Sequence, residues 1–234
     1  MTITDKTLIR VQAVSGLLFA TFLVLHLLNT MSAVLGQSIY DGVQTTLRWY
    51  YQFPIVEIVC VAGAALVHIW AGIVRMWRRR GRERSSVPMR LRLHRWSAYY
   101  LLVFITGHVL ATRGPSLFLA TKADFAFVSY AFVFAPAYFY PYYTLLFASG
   151  LYHLAHGGLT ALRLLGLRVE VSPKAFRWAV SAAVAVGFVA VLTFAGHVYE
   201  IDTRRYAEFH ALAERLFSKP AVPSATASSQ AAAR

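Results

Sequence analysis

Apolar residues run along this chain in five long blocks separated by short polar links. The blocks without a charged residue are 11–40, 58–74, 96–112, 125–162 and 178–199. A helix that crosses a bilayer needs about 20 mostly apolar residues, and most of the blocks have that scale. The fourth, at 38 residues, is too long for one straight crossing of a ~30 Å hydrocarbon core. Pro136 and Pro141 should break it, giving a short segment near the surface and then a helix over about 141–162. The pattern therefore predicts five spans, near 13–35, 54–77, 95–113, 141–162 and 178–199. The expected fold class is an all-α membrane protein whose first four spans form a bundle.

Composition sharpens this picture. The chain is 58% hydrophobic and 14% charged, with a mean hydropathy of +0.52, against roughly 25% charged residues in soluble domains. No cleavable signal peptide is evident, because the first block is long and carries His26 and Asn29. A single cysteine, Cys60, excludes an intrachain disulfide, a covalent CxxCH haem attachment and a cysteine-ligated iron–sulfur cluster. Neither a Gly-rich nucleotide fingerprint nor a hydrolase elbow is present.

The net charge of +13 does not read as nucleic-acid binding, because of where it lies. Nine arginines fall between Arg75 and Arg95, against one acid, Glu83. Arg163, Arg168, Lys174 and Arg177 join the fourth and fifth spans, and Lys6 and Arg10 precede the first. The opposite links hold Arg48, Arg113 and Lys122. The positive-inside rule then places the N-terminus inside and the C-terminus outside. The arginine run is expected to orient the chain and to meet anionic lipids. Beyond a membrane domain over 1–199, residues 200–217 contain a stretch (RRYAEFHALAERLF) that reads as an amphipathic surface helix. Residues 218–234 are rich in Ala, Ser and Pro and are expected to be disordered.

Four histidines sit in four separate apolar blocks: His26, His68, His108 and His153. An ionisable side chain in the hydrocarbon core is costly and normally has a partner. Depths follow from the alternating direction of the spans at 1.5 Å per residue. His26 and His108 fall in the outer half, and His68 and His153 in the inner half. Two level pairs on alternate helices are what two b-type haems in a helical bundle require, each iron held by two imidazoles. His156 shares nearly the same face as His153. Either could be the ligand, and the other could contact a propionate. His94, Arg92 and Arg95 at the inner boundary could pair with propionates or face lipid headgroups, and Arg113 could do the same at the outer end. His197 and His210 are expected to be solvated.

The stretches RVQAVSGLLFATFLVLH, ALVHIWAG, LHRWSAYYLLVFITGHVLATR and LYHLAHGGL resemble the five-span di-haem cytochrome b membrane subunit of the succinate dehydrogenase/fumarate reductase superfamily. The similarity extends over about residues 10–177 and includes VSPKAFR. It implies that His26, His68, His108 and His153 are axial ligands, with His153 rather than His156 in the ligand position. It also implies iron–sulfur and flavoprotein partner subunits and a quinone as redox partner. Dicarboxylate chemistry would sit on those partners, since this chain has no residues for it. Quinone chemistry needs proton donors near a haem edge; Ser15, Arg10 and His94 are inner candidates, Glu57 and Tyr50 outer ones, with Glu57 reading first as a hydrogen-bonded interfacial carboxylate. FLVLHLLNT, LRWYYQFPIVEI, GHVLATRGPS, DFAFVSYAF and YYTLLFASGLYHLAHGG also look like the transmembrane domain of the Mdm10-complementing protein family. That likeness implies the same histidines in a protein of membrane-lipid or haem homeostasis.

Overall fold

A computed structural model describes residues 3–79 and 87–217. Among these residues the chain is helical, with no strand. Helix α1 (Asp5–Ser32) starts where Thr4 accepts a hydrogen bond from the Thr7 amide and continues through a 3₁₀ turn to Leu35. Gly36, at φ +136°, turns the chain, a backbone conformation that only glycine adopts without strain. Helix α2 (Gln37–Tyr51) follows. A π-helical stretch, Val56–Gly63, leads into α3 (Ala64–Arg78). Then come α4 (Met89–Phe118), α5 (Phe125–Phe134), α6 (Pro136–Leu164), α7 (Pro173–Phe194) and α8 (Tyr206–Phe217).

Four helical segments are long and apolar enough to cross a membrane: Asp5–Leu35, Val56–Arg78, Met89–Phe118 and Pro173–Phe194. Many of their apolar side chains are exposed, among them Leu66, Val103, Leu110 and Phe188, as lipid-facing surfaces should be. Helix α6 is as long, at 29 residues, but is rich in tyrosine, histidine and glycine and is not one of the four.

The break in the long fourth block differs from the sequence expectation. It falls at Ala135, and Pro136 opens α6 at the first helical position, where a missing N–H costs nothing. Pro141 lies inside α6 and does not break it. Two further features were not anticipated. The polar link after the first span folds into α2, and the second span begins as a π-helix. A Cβ on Gly63 would lie 2.8 Å from the Ile58 carbonyl oxygen, so the widened turn depends on that glycine. Within the stretch 204–217, residues Tyr206–Phe217 form helix α8, which packs on α5. The tail 218–234 lies outside the described residues, as do Arg80, Arg82 and Arg84 of the arginine run.

The packing order sets the site. α1 packs on α3 and on α6, and α6 packs on α4, while α7 lies against α6 and α1. α3 and α4 share no extensive interface, and neither do the diagonals α1–α4 and α3–α6. Four helices thus enclose an interior that their backbones do not fill. At one end α5 packs on α7, α8 packs on α5, and Tyr40 of α2 meets Phe194 of α7. Tyr40, Phe125, Phe132, Ala190, Val191 and Phe194 form a buried core there. We call this the capped end, and the end bearing the α3–α4 link the arginine end.

Candidate functional site

The helices bring the four histidines together across the two unpacked diagonals. The His26 ring on α1 faces the His108 ring on α4 with centres 6.0 Å apart and planes at 66°. His68 on α3 faces His153 on α6 with the same 6.0 Å separation and planes at 89°. The pairs occupy separate layers. The His68 ring lies against Gly16, which precedes His26 by ten residues, about 15 Å of helix. On α6, Tyr142 reaches His108 and lies eleven residues before His153, about 16 Å away. Both helices give the same spacing between layers.

Two contacts fix the His68 ring. Its Nδ1–H donates to the Gln12 carbonyl at 2.9 Å, which leaves the Nε2 lone pair free for a ligand. Gly16 gives the ring room, because a Cβ there would come within 2.6 Å of His68 Nδ1. Gln12 also accepts from Arg75, tying α1 to α3 at the arginine end. His108 has a looser support, with Nδ1 at 3.4 Å from the Tyr142 hydroxyl. His26 stacks on Phe22 at 5.5 Å. Gly150, on the His153 face of α6, is buried, yet a Cβ there would meet no atom within 4 Å. There is open space inside the bundle beside His153.

Around His153 the imidazoles multiply. His94, expected at the boundary, turns inward and stacks on His153 at 4.3 Å, and its ring also lies 4.8 Å from that of His156. Gly157 makes room, since its Cβ would come within 3.0 Å of His94 Cε1. His153, not His156, is the ring opposite His68. His94 Nδ1, His153 Nδ1, His156 Nδ1 and Arg95 Nη2 are buried nitrogens with no hydrogen-bond partner. Such groups are costly unless something accepts from them.

Other expected site residues fall elsewhere. Arg113 forms a two-pronged ion pair with Glu57, at 2.6 and 2.9 Å, and also reaches Ser116. Each expected separately at the outer end, the two charges instead satisfy one another and bridge the otherwise open side between the second and third spans. Ser15 is buried and its hydroxyl donates to the Val11 carbonyl at 2.7 Å, so it is committed to its own helix. Arg10 and Tyr50 are exposed. Arg92 is exposed on the face of α4 opposite His94. His197 and His210 are exposed at the capped end but engaged, bonding Tyr140 and Tyr130. Sequence reasoning missed Gln12 and Gly16. No local pattern marks a glycine in an apolar helix as the seat of a ring from another helix.

Among the described residues no group of three or more His, Cys, Asp or Glu side chains could hold a metal ion alone. The arrangement offers pairs of opposed imidazoles instead. No family model, curated protein or solved structure matches the chain, so its reading rests on this geometry and on the motif-level resemblance.

Proposed function

We propose that the chain is a five-span di-haem b cytochrome that carries electrons between a quinone and a succinate dehydrogenase/fumarate reductase-type complex, and that anchors this complex. α6 is the remaining span, and the arginine end faces the cytoplasm, or the matrix in a mitochondrion. The observation that carries the reading is the pair of diagonal histidine couples at 6.0 Å. A ligating imidazole nitrogen lies about 2 Å from its metal and the ring centre about 1 Å further, so two rings on one iron stand about 6 Å apart. Haems held this way supply one-electron carriers in two stacked layers.

The chain's own groups account for the rest of such a site. Gln12 sets the tautomer of His68, Gly16 seats its ring, and the space beside Gly150 admits a flat group. The unpartnered nitrogens of His94 and His156 suit an acceptor such as a propionate carboxylate. Arg113, held by Glu57, and Arg92 and Arg95, on the opposite face of α4, do not suit that role. Pyridine haemochrome analysis of detergent-purified protein should give about two haems b per chain. A haem-free preparation from haem-replete cells would overturn the proposal.

Gentle affinity purification should recover iron–sulfur and flavin subunits in near-equal amounts. One observation favours a second reading. The YYQFPIVEI and DFAFVSYAF stretches, which resemble the Mdm10-complementing family, form the end of α2, the π-helix entry and α5. Two haems with no co-purifying subunit would therefore transfer the assignment to a haem protein of membrane-lipid or haem homeostasis.

A further inference from the structure

Helix α4 shows two faces at the arginine end. His94, Ser97, Leu101, Phe104 and His108 recur at helical spacing and face the bundle interior. Arg92, Arg95, Trp96, Tyr99 and Val103 recur on the opposite face. Four of these, with Val87, line a cleft of about 450 Å³. Arg92 is exposed, and Arg95 Nη2 is buried without a partner. No side chain caps the first turn of α4, where Pro88 stands at the N-cap, so its amides add positive potential to the same end. Below the arginines, Trp96 and Tyr99 are 67% and 45% exposed, and Val103 is 70% exposed.

We propose that this cleft is a binding site for one anionic phospholipid of the leaflet on the arginine side. Two guanidiniums match a phosphodiester in charge and geometry. Trp and Tyr rings sit where headgroup meets acyl chain, and the apolar stripe beyond them runs in the direction an acyl chain takes. The face points away from the histidines, so the site is separate from any haem pocket and does not depend on the haem reading. Charge and aromatic depth together favour a lipid over a free phosphate ion, which would have no use for Trp96, Tyr99 and Val103.

Native mass spectrometry of the full chain, released from nanodiscs of mixed phosphatidylglycerol and phosphatidylcholine, tests this. The wild type should retain one phosphatidylglycerol preferentially. Arg92→Gln with Arg95→Gln should cut that retention on the order of tenfold, while the Lys,Lys double variant retains most of it and guards against misfolding as the cause. Trp96→Ala should weaken retention with the charge intact. Equal retention of phosphatidylcholine, or no loss in the Gln,Gln variant at unchanged helix content, overturns the proposal. Displacement of the lipid by millimolar inorganic phosphate alone would assign the site to a free anion and overturn the lipid assignment.

Discussion

At the capped end, polar groups are paired around a packed core. Ser129 donates to the Phe194 carbonyl at 2.6 Å, Tyr199 to the Ala33 carbonyl at 2.7 Å, and Arg48 to the Ala123 carbonyl at 2.6 Å. The Phe125 amide donates to Asp41, and Arg205 is paired with Asp124. At the arginine end, three buried imidazole nitrogens, of His94, His153 and His156, have no such partner. The ring-bearing stretch of α6 is only half-buried throughout. Satisfied polar groups in a close-packed core serve the fold. Unsatisfied ones beside open space mark where the fold expects something else. The His26–His108 couple lies nearer the capped end and is held chiefly by packing. The His68–His153 couple lies in the polar half and is held by a hydrogen bond and a glycine seat.

The largest effect should come from the couples themselves. His26→Ala and His108→Ala should remove the same haem, and His68→Ala and His153→Ala the other, each leaving about one haem per chain because each iron loses one of two axial ligands. Reduced-minus-oxidised spectra of the four variants decide it. If the His26 and His68 variants lose the same centre, the layer assignment fails.

The two halves should also respond differently to a single methyl group. Gly16→Ala puts a Cβ 2.6 Å from His68 Nδ1, so the ring must leave its bond to Gln12. Loss of such an orienting contact lowers metal-group affinity on the order of 10–100-fold, and the His68–His153 haem should titrate correspondingly weaker. Gly107→Ala, beside His108, meets nothing within 4 Å and should leave both haems at wild-type affinity. Equal behaviour of the two variants would mean that Gly16 is ordinary helix packing.

Much of this arrangement was legible in the sequence because membrane depth is a linear ruler. Alternating direction and a fixed rise placed His26 level with His108 and His68 level with His153, and the rings meet as those levels require. What the ruler cannot give is azimuth. His94 sits at a boundary depth that suits a headgroup, yet its rotation on α4 turns it onto His153. Glu57 reads as a proton donor or a hydrogen-bonded interfacial carboxylate and Arg113 as a partner for a propionate or headgroup, since nothing in the sequence says that these ends of the second and third spans meet. The π-helix was invisible for a related reason. One extra residue per turn changes rotation without changing the apolar pattern. Pro141 misled because a proline inside a helix forfeits a bond, here to the Ala137 carbonyl, and crowds that turn, yet α6 continues through it.

The Glu57–Arg113 bridge tests the capped half's reliance on paired charges. Both side chains are about a quarter exposed, at 29% and 26%, so the loss lies between that of a surface pair and of a fully buried one. Glu57→Gln should cost about 1–2 kcal/mol, read as a fall of a few degrees in thermal unfolding in detergent, with both haems retained. Loss of the His26–His108 haem in this variant would instead give the bridge a direct part in the site.

The smallest effect should be at His156. Its ring lies 4.8 Å from His94 and stacks on Tyr152 at 6.1 Å, and it is not the ring that faces His68. His156→Ala removes one of the unpartnered nitrogens but neither axial ligand, so haem content should stay at about two per chain. If His156 Nδ1 supports a propionate, the midpoint potential of the His68–His153 haem should fall, because a carboxylate that loses its donor keeps more of its negative charge near the iron and favours the oxidised form. The His26–His108 haem, a layer away, should keep its potential. Spectroelectrochemical titration separates the two centres. Loss of the His68–His153 haem in this variant would pass the ligand role from His153 to His156, and the 6.0 Å couple would no longer mark the iron site.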